Sequence, residues 1–183
     1  MSILKKLARK ITVKTIPVYI LMAALVYFAR PKPIFFMVGL PLILGGEALR
    51  LWAAGHLSKN REVTTTGPYA HVKNPLYLGT FLIMIGFCLL ASQWMILGVG
   101  LLAFFSYYVP FKKKAESDRL REIFGSTWDE YDRSVPDYIP RLSPYEKRGK
   151  HTWEWSRVVS NSEHETAVVT ALGVLILSMR FFF

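Results

Sequence analysis

Residues Val63-Thr-Thr-Thr-Gly-Pro-Tyr-Ala-His-Val-Lys-Asn-Pro-Leu-Tyr-Leu-Gly79 decide how this chain of 183 residues is read. They begin as a polar loop broken by Gly67, Pro68 and Pro75 and run straight into an apolar segment that predicts a long helix. Gly-Pro marks a turn, and a proline is well suited to the first turn of a helix. Ring, amide and hydroxyl groups are thereby gathered at one end of an apolar helix, where a membrane meets water. An enzyme that joins a soluble cofactor to a lipid-like substrate needs its polar groups at that level.

Outward from this stretch, composition points to a membrane protein. Hydrophobic residues make up 52% and aromatics 14% of the chain, more than one soluble core of this size requires. The apolar residues fall in runs: Ile16 to Ala29, Ile34 to Ala48, Leu76 to Ala91, Trp94 to Pro110 and Ala167 to Phe183. With their flanks, these approach the roughly 17 to 25 residues that cross a bilayer. The expectation is an all-α polytopic bundle of about five transmembrane helices with a cytoplasmic cofactor-binding face. Met1 to Ala29 has the alternative reading of a signal peptide, against which stand the missing small-residue cleavage site and the turn Arg30-Pro-Lys-Pro33. The single Cys88 lies within a predicted span, which excludes an internal disulfide or a cysteine-based metal site.

The formal net charge of +10 is distributed as a topology signal. Lys5, Lys6, Arg9, Lys10 and Lys14 precede the first run, Lys59, Arg61 and Lys73 separate the second from the third, and 112–157 is basic throughout. If five spans alternate, these fall on one side, and Arg30, Lys32 and Arg180 on the other. The positive-inside rule then sets the N-terminus in the cytoplasm, in a cell (inner) membrane or an endomembrane. Nucleic-acid binding asks for a solvated basic face with stacking aromatics, whereas these aromatics lie in or beside the spans.

Two parts are expected: a membrane catalytic domain over 1–142, and 143–183 as a polar linker with a C-terminal transmembrane helix. Only Ser92-Gln93 breaks the apolar stretch from Gly86 to Gly100, which predicts a helical hairpin. Ala115, Leu120, Ile123 and Phe124 recur near helical spacing, so Lys112 to Phe124 reads as an amphipathic helix stopped by Gly125. A second short helix over Thr127 to Tyr131 and an extended Val135-Pro-Asp-Tyr-Ile-Pro140 follow. Glu47 and Arg50, three apart on one helix face, form either a structural ion pair or part of a cavity wall.

Several chemistries lack their residues. His56, His71, His151 and His164 show no repeated ligand spacing, so no metal site is expected. No nucleophile elbow, phosphate-binding loop or dinucleotide fingerprint occurs. His71 is either a base or an ordinary loop histidine. What remains is a constellation over two segments, Val63 to Gly79 and Lys112 to Glu122.

Those segments resemble the isoprenylcysteine carboxyl methyltransferase family and its phospholipid methyltransferase relatives. The matching residues are Leu49-Arg50, Gly67-Pro-Tyr69, Lys73-Asn-Pro-Leu-Tyr77 with Gly79, Glu116, Leu120, Phe124-Gly125, Tyr131, Val135-Pro136 and Ile139-Pro140, over about 45–142. The resemblance implies S-adenosylmethionine as cofactor, with Val63, Thr64, Tyr69, Asn74, Pro75, Leu76, Tyr77 and Glu116 matching its contacts. It also implies Lys112, at the position of a family arginine near the substrate, and Lys73 as the substrate-side, catalytic candidates. The family's Arg-His-Pro is here Lys73-Asn74-Pro75, and its acidic pair is Glu116-Ser117. Lysine lacks the planar fork of arginine, which leaves a carboxylate acceptor less favoured than the reaction type itself.

Methyl transfer from a sulfonium suits this layout on chemical grounds, because Glu116 can take an ammonium and Tyr69 or Tyr77 can set a ring against cationic or adenine groups. The expected partners are the bilayer and a lipophilic acceptor within it, and no nucleic acid. Two other readings stay open: a membrane NADPH-dependent reductase of the sterol-reductase type, and a non-catalytic scaffold or carrier. A carrier is expected to show repeated halves or paired broken spans, and neither is present.

Overall fold

The structure, a computed structural model, describes residues 16–103, 105–106, 109–147 and 149–182, with the side chains at 16–19, 21, 109, 112 and 182 left aside. The N-terminal cations Lys5, Lys6, Arg9, Lys10 and Lys14 lie outside the described residues. Within them the chain is all helical. In order come α1 (Ile16–Tyr27), α2 (Pro33–His56), a 3-10 turn (Gly67–Ala70), α3 (Pro75–Leu90), α4 (Trp94–Ala103), α5 (Val109–Phe124), α6 (Ser126–Ser134), α7 (Trp155–Ser160) and α8 (Glu163–Phe182).

The tightest packing joins α2 to α3 in antiparallel fashion, and glycine makes it possible. A Cβ at Gly39 would stand 2.6 Å from the carbonyl oxygen of Gly86, and one at Gly46 would stand 2.7 Å from that of Gly79. The two glycine pairs are a heptad apart on each helix, so the backbones approach closely along one seam, as apolar helices do when small residues face each other. Ile43 fills the interval between the pairs and is buried with Leu25, Ala29, Cys88, Leu90, Ala91 and Leu177, a core drawn from α1, α2, α3 and α8. At the far end of α3, Ser92 at φ +56° turns the chain into α4, and Gln93 N donates to Cys88 O at 2.8 Å. This is the expected hairpin.

Among the described residues, two helices have the length and apolarity to cross a membrane, Pro33–His56 and Glu163–Phe181, with mean hydropathies of 1.7 and 1.3. Only 17% and 11% of their apolar windows are buried within the protein. They are therefore not core helices of a soluble fold, because side chains so apolar and so outward need a non-aqueous neighbour. Helices stand at the other expected positions too, but α1 with 12 residues, α3 with 16 and α4 with 10 fall short of the roughly 20 that span a bilayer unaided. The last helix begins four residues before the expected Ala167 and carries Glu163 into the protein.

A polar cap sits on the end of this bundle where α2 finishes and α3 begins. Gly125, at φ +53°, accepts a left-handed turn at the close of α5 and starts α6, its carbonyl receiving Trp128 N at 3.1 Å. The short helix expected at Thr127 to Tyr131 is thus α6, longer by a residue before and three after. Trp128 and Tyr131 on α6 and Val135 just after it fall at i, i+3 and i+7 and pack with Tyr145, Val63, Leu120 and Phe124 in a second core. The segment after α6 then runs beside the loop before α3. Lys73 N donates to Pro136 O at 2.9 Å, Arg141 N to His71 O at 3.0 Å and Tyr145 N to Ala70 O at 2.8 Å.

The polar stretch before α8 docks on the end of α2 and meets the carbonyls that every helix leaves without partners there. Asn161 Nδ2 donates to Ala54 O and Leu57 O, both at 3.2 Å, Glu154 N to Gly55 O at 3.0 Å, and Arg157 to His56 O at 3.3 Å. Trp153 lies so close to Gly55 that a Cβ there would be 2.0 Å from its ring nitrogen.

Candidate active site

The loop from Leu57 to Asn74 closes on α5 and α6 around a cavity of about 530 Å³, inside the range of roughly 300 to 1,000 Å³ usual for small-molecule sites. Local chemistry shapes the loop. Ser58 N donates to Thr64 Oγ1 at 3.1 Å, which folds 58–64 back on itself. Glu62 meets His151 at 2.7 Å, and Thr65 Oγ1 accepts Gly149 N at 2.8 Å. Gly67, at φ +58°, lies against the His56 ring, whose Nδ1 is 3.0 Å from Thr66 Oγ1. The 3-10 turn that follows delivers Tyr69 to the cavity wall, with its carbonyl held by Tyr131 Oη at 2.8 Å.

All eight residues expected to contact a cofactor line this one cavity: Val63, Thr64, Tyr69, Asn74, Pro75, Leu76, Tyr77 and Glu116. Glu116 arrives from α5 and the others from the loop and the first turn of α3. Tyr77 Oη donates to Glu116 Oε2 at 2.7 Å and ties the two segments together. Asn74 Nδ2 donates to Asp137 O at 3.2 Å. Tyr69 is buried, and burial, with Tyr131 and Glu116 nearby, drives its phenol well above the ordinary range. It therefore stays protonated and uncharged at neutral pH.

Lys73 also lines the cavity, and its ammonium is engaged: Nζ donates to Asp132 O at 2.8 Å and lies 2.7 Å from Asp132 Oδ1 and 3.0 Å from Asp137 Oδ1. Lys113 takes the other oxygen of Asp137 at 2.6 Å. Burial alone would raise the Asp137 pKa, but hydrogen bonds from Lys113 and Lys73 outweigh it and hold the carboxyl below its usual range. The side chain of Lys112 lies outside the described residues. His71 is not on the cavity wall; its Nδ1 is 2.9 Å from Arg141 O.

The pairing anticipated between Glu47 and Arg50 takes another form. Arg50 Nη2 donates to Glu163 Oε2 at 2.6 Å, and Nη1 reaches Thr80 Oγ1 and, at 3.3 Å, Leu76 O. The guanidinium thereby joins α2, α3 and α8 just behind Leu76. Its acid sits 113 residues away, and no local spacing signals it. Asp132 and Asp137 were likewise absent from the expected wall, although Asp132 follows the inward-facing Tyr131 and Asp137 lies in the extended Val135 to Pro140 segment, so both had a positional signal.

An all-helical protein with outward apolar helices and a polar small-molecule cavity at one end has the build of a helical membrane protein. The profile of the phospholipid methyltransferase family matches residues 34–127, and the chain belongs to that family. Among similar proteins, the cobalt-zinc-cadmium resistance protein CzcN of Cupriavidus metallidurans is 35% identical over 119 residues, covering 64% of this chain and 52% of that protein. The nickel-cobalt-cadmium resistance protein NccN of Alcaligenes xylosoxydans xylosoxydans is 34% identical over 96 residues, 51% of this chain and 44% of that protein. The protein-S-isoprenylcysteine O-methyltransferase of Schizosaccharomyces pombe is 26% identical over 104 residues, 55% of this chain and 42% of that enzyme. The chain thus spans about half the length, or somewhat less, of these relatives. No solved structure matches it.

Proposed function

We propose that the protein is an integral membrane methyltransferase that uses S-adenosylmethionine and methylates a lipophilic or lipid-embedded acceptor at the cytoplasmic membrane interface. One observation carries the reading: Glu116 and the Val63 to Tyr77 residues, from segments separated by the α3–α4 hairpin, line a single cavity. The wall fits that cofactor by chemistry. Glu116 presents a carboxylate of which Tyr77 occupies one oxygen, Tyr69 and Tyr77 present rings, and Val63, Leu76 and Leu120 present apolar surface. When bound, the sulfonium supplies an activated methyl group. The chain's own task is to hold it beside the acceptor in line, which can contribute several kcal/mol, up to about ten. Lys112 and Lys73 stand on the acceptor side of the pocket in this reading, with Lys73 fixed by Asp132 and Asp137.

We place the catalytic unit within 1–142 and read five crossings with the N-terminus in the cytoplasm. Under that reading α1, α3 and α4 cross the bilayer beside the two long helices, and 143–183 docks on the pocket end before crossing last. Calorimetry of the detergent-solubilised protein tests the proposal. S-adenosylmethionine or its demethylated product binds, and NADPH does not; tight NADPH binding with no response to the sulfonium would transfer the protein to the reductases.

A further inference from the structure

The end of the bundle remote from the candidate active site holds a second cavity, of about 440 Å³, lined by Ala29, Arg30, Pro31, Lys32 and Arg180. Every Asp and Glu of the chain lies between positions 47 and 165, and none belongs to the α1–α2 turn, the α3–α4 turn or the last turns of α8. Among the described residues the cations at this end are Arg30, Lys32 and Arg180, and all three line the same cavity. None has an acidic side chain as partner among the described residues. Arg180 reaches across from α8 to the end of α1, where Nη2 donates to Tyr27 O at 3.2 Å. Two chain segments, roughly 150 residues apart in sequence, thus bring their charges to one place.

Converging cations with no acidic side chain as partner among the described residues repel one another, and the field of the α2 N-terminus adds to them. Its first amides have no partner within the helix, and the positive end of the helix dipole faces this turn. All three are exposed, so solvent screens part of that repulsion, and an anion with several oxygens would relieve the rest. The level of the cavity says which anion. Tyr27, two residues before Ala29, and Trp94, which opens α4, are exposed rings of the kind that gather where acyl chains meet head groups. The cavity also lies at the opposite end of a 24-residue helix from His56. At about 1.5 Å per residue that is roughly 36 Å, the distance from one head-group layer to the other.

We propose that this cavity binds the phosphate group of an anionic membrane lipid in the leaflet opposite the candidate active site. Arginine and lysine side chains between helices at a membrane surface suit a phosphodiester, which offers several oxygens to several donors. The inference rests on α2 and α8 lying in a bilayer, not on the methyltransferase reading, and it fails or stands independently of cofactor binding.

Native mass spectrometry of the full chain in detergent, titrated with phosphatidylglycerol, phosphatidylcholine or inorganic phosphate, tests it. Phosphatidylglycerol is expected to be retained at one site, with phosphatidylcholine much weaker. Arg30→Gln with Arg180→Gln should weaken phosphatidylglycerol roughly tenfold to a hundredfold. Arg30→Lys with Arg180→Lys should restore most of it, which separates loss of charge from loss of fold. Arg133→Gln, an exposed cation on α6 at the other end, should leave binding as in wild type. Unchanged retention in the double glutamine variant, or equal retention of phosphatidylcholine, would overturn the proposal. Inorganic phosphate binding as tightly as the lipid would assign the cavity to the free ion and overturn the lipid.

Discussion

Tyr77 donates its phenol hydrogen to Glu116 at 2.7 Å, and this bond joins the first turn of α3 to the middle of α5. Each residue lines the cavity, so the pair is both a wall and a clasp. If Glu116 is the countercharge for a cofactor ammonium, its charge and its placement by Tyr77 contribute separately. Glu116→Gln removes the charge and keeps the shape; Tyr77→Phe keeps the ring and removes the clasp. The glutamine variant should bind S-adenosylmethionine roughly tenfold to a hundredfold more weakly, the worth of about 1.5 to 3 kcal/mol. Tyr77→Phe should cost less. Cofactor titration of both variants, with circular dichroism to show that the helices persist, checks this. Wild-type affinity in Glu116→Gln would remove the carboxylate from the cofactor site.

The neighbouring charges on α5 should behave differently. Asp118 is exposed and only 3.8 Å from Arg121, a surface pair of little value, so Asp118→Asn should change neither binding nor turnover. Lys112→Ala, as a substrate-side change, should lower turnover while cofactor affinity stays near wild type. Initial rates and titrations on the two variants separate these outcomes; a large loss in Asp118→Asn would mean that the other face of α5 meets the ligand.

The cavity was legible because its residues come in short runs with local reasons to be where they are. Gly67-Pro68 must turn, Pro75 must start a helix, and the apolar spacing of α5 sets which face Glu116 occupies. The all-helical architecture followed from apolar runs in the same way. What stayed hidden depends on contacts distant in sequence. Glu163 reads locally as an ordinary acid in the first turn of a helix, and only the docking of α8 on α2 makes it the partner of Arg50. The glycine seam between α2 and α3 is similar, since single glycines in apolar helices show nothing until the facing helix is in register.

That seam yields a contrast in stability. Gly46→Ala sets a methyl 2.7 Å from the Gly79 carbonyl oxygen, and neither backbone can yield without parting the helices. A loss of roughly 1 to 3 kcal/mol is expected, as for other overpacked interfaces. Gly45→Ala, one residue earlier, meets nothing within 4 Å and should be neutral. Thermal unfolding in detergent compares the two, and equal midpoints would mean that the seam is not closed in solution.

Acid should loosen the cap around Asp137. Its carboxyl is held below the usual range by Lys113 and Lys73 despite burial, so the folded-state pKa lies beneath the unfolded value of about 3.9. A depressed carboxyl contributes stability that is fully present above its unfolded pKa and is lost as pH falls through its folded pKa. Asp137→Asn removes that contribution at every pH. The gap in unfolding midpoint between wild type and variant should therefore be constant from neutral pH down to about pH 5 and should shrink below about pH 4. Unfolding curves collected between pH 3 and pH 7 read it directly, from roughly one pH unit below the ordinary carboxylate value to roughly three above it. A gap that widens on acidification would reverse the sign and detach Asp137 from the two lysines.

Arg50 and Glu163 offer the sharpest test of how the last helix is attached. Their side chains are only 13% and 9% exposed, and the pair bridges the back of the pocket to the first turn of α8. Breaking an enclosed ion pair by removing one partner leaves the other charge without compensation, typically at a cost of about 3 to 5 kcal/mol. Replacing both by apolar residues of similar size costs far less. Glu163→Leu and Arg50→Met should each lower the unfolding midpoint strongly, and the double variant should recover much of the loss. Arg50 also donates to Leu76 O, directly behind a cavity residue, so Arg50→Met should weaken cofactor binding more than Glu163→Leu does. Additive losses in the double variant would show that the two side chains do not meet, and that α8 is held to α2 by apolar packing such as Leu177 with Ile43 and by the Asn161 and Arg157 contacts that precede it.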